Sequence, residues 1–81
     1  MERNAIIEGI RDTIRGVLGH ASFEMRDDLT AADVEGWDSL THMTIITRLE
    51  MRFAVKFKLK EINKLKNMGS LIDLIAEKTA S

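Results

Sequence analysis

The run GWDSLTHMTIITRLEMRF, residues 36–53, decides how this chain folds. Leu40, Met43, Ile46, Leu49 and Phe53 recur at helical spacing and predict one buried stripe, with Ile45 beside it. Asp38 stands just before the stripe, where a carboxylate accepts the unpaired N–H groups of a first helical turn. That makes Ser39 the first helical residue. Leu40 is expected to turn inward and anchor the turn, so that the serine faces solvent. His42 is expected to be exposed one turn on.

Reading upstream, Ile6, Ile7, Ile10, Ile14, Val17 and Leu18 place an amphipathic helix over residues 3–18, with Gly19 to stop it. Gly9 inside that helix costs about 1 kcal/mol against alanine unless close packing requires it. Residues 19–37 have no sustained period, a long connection for a small domain and therefore a functional one. Phe23, Met25, Leu29, Val34 and Trp37 are its apolar anchors, and Thr30 is placed to cap one short turn through Val34.

Downstream, FAVKF at residues 53–57 alternates like a strand but would have no partner, so a loop is expected. Leu59, Ile62 and Leu65 mark a short third helix to about Lys66, with no good cap and with Lys60 and Lys64 repelling one turn apart. Asn67 is the expected cap of a last helix. There Leu71, Leu74 and Ile75 face inward and Ile72 lies at the edge. Met43, Ile46, Leu59 and Ile62 are assigned to the core. The expected fold is all-α: a four-helix bundle of three main helices and a short third, with a long first loop.

At 81 residues the chain is one domain, read here as a single unit over 1–81. It contains no cysteine, which excludes disulfides and thiol nucleophiles, and its two histidines lie far apart without acidic clusters, so no metal is expected. No apolar run reaches the ~20 residues of a membrane span and no signal peptide opens the sequence, so the expected location is cytoplasmic.

The net charge of −1 conceals segregation. Residues 24–38 hold six acids against Arg26 alone, and residues 48–66 hold seven cations against Glu50 and Glu61. Clustered charge of this kind steers encounter with protein partners. Nucleic acid is not expected, because the basic segment has few aromatics and the domain is slightly acidic overall.

Three roles compete for Ser39. Catalysis would need a base, a group orienting that base and an oxyanion site; Asp38 is committed to capping and no glycine-rich turn follows, so no catalytic residue is assigned. Capping alone would account for an aspartate-serine pair at a helix start. Covalent attachment needs only an accessible hydroxyl on a rigid platform, and an anion placed there meets the positive end of the helix dipole.

The same run, GWDSLTHMTIITRLEMRF, resembles the acyl carrier proteins and the related carrier domains of polyketide and nonribosomal peptide assembly. DDL in the preceding loop, LKEINKL and NMGSLIDLI follow the family's order over nearly the whole chain. The resemblance implies a non-catalytic carrier in which Ser39 bears a covalent 4′-phosphopantetheine arm. It further implies a monomer modified by a phosphopantetheinyl transferase and served by acyl-loading and acyl-processing enzymes such as a ligase, acyltransferase or ketosynthase. An aminoacyl or peptidyl carrier, or an unmodified helical interaction module, is the alternative. Fatty-acid carriers usually present acids after the serine and an acidic or neutral third helix. Here Thr41, Thr44 and KFKLKEINKLK stand in those places, which points to a specialised pathway.

Overall fold

A computed structural model describes residues 1–80. It contains α1 (Arg3–Leu18), a 3₁₀ turn (Ala31–Asp33), α2 (Ser39–Phe53), α3 (Leu59–Asn63) and α4 (Met68–Thr79). The described residues form an all-α bundle in which α1 packs on both α2 and α4. Ile6, Ile10 and Ile14 of α1 meet Ile45, Ile46 and Leu49 of α2, all essentially without solvent contact. Leu71, Ile72 and Ile75 complete that core from α4. Each such side chain contributes about 1.5–3 kcal/mol by leaving water, which is what holds helices this short in place.

Gly9 is required by packing. A Cβ there would lie 2.5 Å from Cζ of Phe53 and 3.0 Å from Nε of Arg52, so α1 and α2 cross at the glycine. Gly19 ends α1 in the left-handed conformation, φ 81°, as expected of a C-terminal glycine. Beyond α2, Phe57 is buried and its N–H donates to the Glu50 carboxylate at 2.8 Å. The FAVKF segment is a pinned loop, not a strand.

The long first loop is fastened at several points. Asp33 closes the 3₁₀ turn by accepting the Thr30 N–H and hydroxyl, both at 3.0 Å. Val34 is buried, and Phe23, Met25, Leu29 and Trp37 pack against the core. The Met68 N–H donates to the Leu29 carbonyl at 2.7 Å and the Gly69 N–H to the Asp27 carbonyl at 2.9 Å, so the loop backbone caps α4. A Cβ on Gly69 would sit 3.0–3.3 Å from Asp27, which is why glycine occupies this helical position. His20 joins the loop's two ends: its Nδ1 accepts the Ser22 N–H at 3.1 Å, leaving Nε2–H to donate to the Glu35 carbonyl at 2.7 Å.

Four expectations are corrected. Ile72 is fully buried, not at an edge, because α4 is covered by α1 on one side and by the loop on another. Leu59 is 69% exposed and Met43 48% exposed, so neither is core; Ile46 is buried and Ile62 half-buried. The third helix ends at Asn63, three residues early. Nor does it lack a cap: the Glu61 carboxylate accepts the Lys58 N–H at 2.7 Å and also pairs with Lys78 of α4 at 3.0 Å. The Lys58 N–H, followed by Lys78, holds the Glu61 carboxyl below the ordinary glutamate value.

Candidate functional site

Ser39 lies at the first position of α2 and is exposed. Its surroundings are fixed by the two residues at either end of the turn. Asp38 Oδ1 accepts the N–H groups of Leu40 and Thr41, each at 3.0 Å. Thr41 answers from the other side. Its hydroxyl accepts the Asp38 N–H at 2.8 Å and donates to the Gly36 carbonyl at 2.8 Å. Gly36 sits at φ 88°, which a side chain would strain, and so delivers the loop into the cap. All of these first-turn bonds go to Asp38 and Thr41, and none uses the Ser39 hydroxyl.

Thr41 is the functional-site residue that the sequence reading missed. It was noted only as a substitute for an acid, whereas it rivets the loop to α2. An available signal was the D-x-x-T spacing, since a polar side chain three residues after the cap can reach back to it.

The Asp38 carboxyl is held below the ordinary aspartate value, first by the Thr41 N–H and then by the Thr41 hydroxyl and the Leu40 N–H. A lowered folded-state pKa stabilises above the unfolded value and loses that contribution as pH falls through the folded value. Asp33 and Glu61 shift the same way for the same kind of reason. Acidification through and below the carboxylate range should therefore loosen the Ser39 turn, the 3₁₀ turn and α3. In Asp38→Asn, whose amide keeps an acceptor without the charge, amide exchange at Leu40 and Thr41 should lose most of its acid dependence. Unchanged acid dependence would remove Asp38 from the account.

Leu40 does not anchor the turn. It is 83% exposed, on the outer side of α2 with Met51, which is 77% exposed. Direction is given to Ser39 by the Asp38–Thr41–Gly36 bonds instead. His42 also differs from expectation: it is half-buried, and Trp37 Nε1–H donates to its Nδ1 at 3.0 Å with the rings 6.0 Å apart. The imidazole is committed to Trp37, and Trp37 is the loop anchor that its sequence position predicts.

An open groove runs from Ser39 between α2, α3 and the 3₁₀ turn, with Ala31, Trp37, Met43, Leu59 and Ile62 among its walls. An exposed hydroxyl on a rigid turn beside an apolar groove fits a phosphate-linked arm: the phosphate at the start of α2 and the arm along Met43, Leu59 and Ile62. The loop's acids are less free than its composition implies. Arg3 pairs with Asp27 at 2.7 Å and Arg26 with Asp28 at 2.8 Å, while Asp33 and Asp38 are committed to capping. Among the described residues there is no cluster of three or more metal-ligating side chains, and no helix is long and apolar enough to cross a membrane.

Residues 8–75 match the family model described as "Phosphopantetheine attachment site". The chain is 26% identical to an acyl carrier protein of Acidothermus cellulolyticus over 81 residues, 100% of this chain and 96% of that one. It is also similar to the solution structure of a holo acyl carrier protein from Geobacter metallireducens: TM-score 0.85, 37% identity, covering 93% of this chain and 86% of that one.

Proposed function

Because this chain belongs to the acyl carrier protein family, whose prosthetic group is 4′-phosphopantetheine, we propose that Ser39 is its attachment point and that it carries acyl intermediates between enzymes. Residues 1–81 act as a single carrier unit, working as a monomer in the cytoplasm. The observation that carries this reading is the free, outward hydroxyl of Ser39, held on a turn whose own polar groups are already paired. When attached, the arm supplies a terminal thiol on which acyl groups are held as thioesters. The chain's own residues hold rather than react: Asp38 and Thr41 fix the serine's position, and the groove gives the arm an apolar surface to rest on. The base that activates the serine belongs to the transferase.

The test is intact-mass analysis after incubation with coenzyme A and a broad-specificity phosphopantetheinyl transferase. The expected result is one arm per chain. No gain with several transferases, on protein whose circular dichroism is helical, would overturn the reading.

The partners are then the transferase and the enzymes that load and process the acyl group. They meet a surface unlike that of an acidic carrier. Leu40, Met43 and Leu59 are exposed around Ser39, and Lys56, Lys58, Lys60, Lys64 and Lys66 stand exposed along the α3 side. Surface charge acts mainly on encounter rate and on rejection of wrong partners. Reversing two charges, Lys60→Glu with Lys64→Glu, should raise transfer from a ketosynthase built for acidic carriers by about tenfold at low salt and lower it with the native partner. Both effects should shrink near physiological ionic strength, where screening acts over ~8 Å. Equal rates for parent and variant with both enzymes would reduce α3 to a solvated face.

A further inference from the structure

We propose that the hydrogen-bonded Trp37–His42 pair is the floor of the groove beside Ser39 and sets how deeply a cargo chain can enter the protein. The inference rests on Ser39 as the attachment point. Beneath the groove lies a second space of about 60 Å³, enclosed chiefly by Leu29, Leu65, Met68 and Leu71. The two spaces share three walls, Ala31, Trp37 and His42. A chain passing from the outer space to the inner one must therefore displace the pair.

Two observations make that passage unfavourable. The Trp37 indole N–H has His42 Nδ1 as its partner at 3.0 Å, and opening the pair leaves a half-buried donor unsatisfied. The inner space is also small: a water's share of liquid volume is about 30 Å³, so it admits about two such groups before its lining moves. Met68, buried at the mouth of α4, is the side chain best able to yield. With the pair closed, a short acyl chain finishes in the outer groove against Met43, Leu59 and Ile62. A longer one leaves its tail in solvent.

The test uses the absence of cysteine. Ser39→Cys gives a single thiol, which butyl, octyl and tetradecyl methanethiosulfonates convert to mixed disulfides with release of methanesulfinate. Trp37 is the one tryptophan, so its emission reports on the floor directly. On the Ser39→Cys background, Tm should rise from butyl to octyl and level off by tetradecyl, with Trp37 emission unchanged. Adding His42→Ala should remove the plateau, raising Tm by up to about 3–6 °C for each further methylene buried, with an emission shift that follows chain length. Trp37→Phe, which keeps a ring but drops the donor, should remove the plateau as well and serves if the alanine variant fails to fold. A continued rise in the parent, or the same plateau in the folded variants, overturns the proposal. Wild type loaded with acyl-pantetheine of the same lengths forms the second arm. Failure to load Ser39 there, with the cysteine series behaving as expected, sinks the attachment reading and leaves the floor standing.

Discussion

Ser39→Ala should abolish modification completely while leaving the bundle intact. The Ser39 hydroxyl takes no part in the bonds among Gly36, Asp38 and Thr41 that shape the turn, so its removal costs the fold little. Alanine is a good helix former and the position is exposed, which favours an unchanged or slightly higher Tm. Modification should fall to nothing, because Ser22 lies in the loop and Ser70 accepts the Lys66 and Asn67 N–H groups at the start of α4. Neither offers a free hydroxyl on an outward first turn. Intact mass after incubation with coenzyme A and transferase, with circular dichroism on the same sample, is the check. An alanine variant that is still modified would move the site elsewhere; one that loses helicity would make Ser39 a capping residue first.

The largest stability effect is expected at Gly9, and its sign distinguishes packing from propensity. On propensity alone, Gly→Ala inside a helix stabilises by about 1 kcal/mol. At Gly16 nothing lies within 4 Å of an added Cβ, so Gly16→Ala should raise Tm by about 4–8 °C. At Gly9 the same methyl meets the Phe53 ring at 2.5 Å, and that ring is 8% exposed with little room to withdraw. Overpacking of this kind costs typically 1–3 kcal/mol, which should outweigh the propensity gain. Gly9→Ala is expected to lower Tm by about 4 °C or more, and Gly9→Val to lower it further. Thermal melts of the three variants decide the matter. A rise at both glycines would mean that α1 and α2 do not meet closely at Gly9.

The two glycines also show what was legible in the sequence. Gly9 stood out because it interrupts a clean apolar period, and the question it raised was answered by Phe53. Helix starts were legible wherever a short polar side chain precedes the apolar run: Asp38 and Asn67 both cap as expected, the latter through Ser70 N–H at 2.9 Å. The error in α2 has a geometric cause. Steps of three residues along an α-helix fall short of a full turn by about 60°, so a stripe followed from Leu49 back to Leu40 drifts to the opposite face. Leu49 is fully buried and Leu40 is 83% exposed for that reason.

The contacts between distant segments were not legible. The backbone bonds from Met68 and Gly69 to the loop involve no side-chain signal, and they join residues about 40 apart in the sequence. The Trp37–His42 bond crosses from loop to helix, where neither period applies. At the site itself, the placement of Ser39 could be read from Asp38 and the run that follows. What orients it could not: the apolar anchor expected at Leu40 is replaced by the polar one at Thr41.

The central claim is that one hydroxyl, set on a turn fixed by Asp38 and Thr41, receives the arm. The most direct measurement is peptide-level mass spectrometry of the modified wild-type chain after trypsin. Cleavage at Arg26 and Arg48 isolates Asp27–Arg48, which contains Ser39 with Thr30, Thr41, Thr44 and Thr47 and excludes Ser22 and Ser70. The account predicts that all added mass lies on this peptide and that its fragment ions place it on Ser39. Mass on one of the threonines, or on any other peptide, would contradict it.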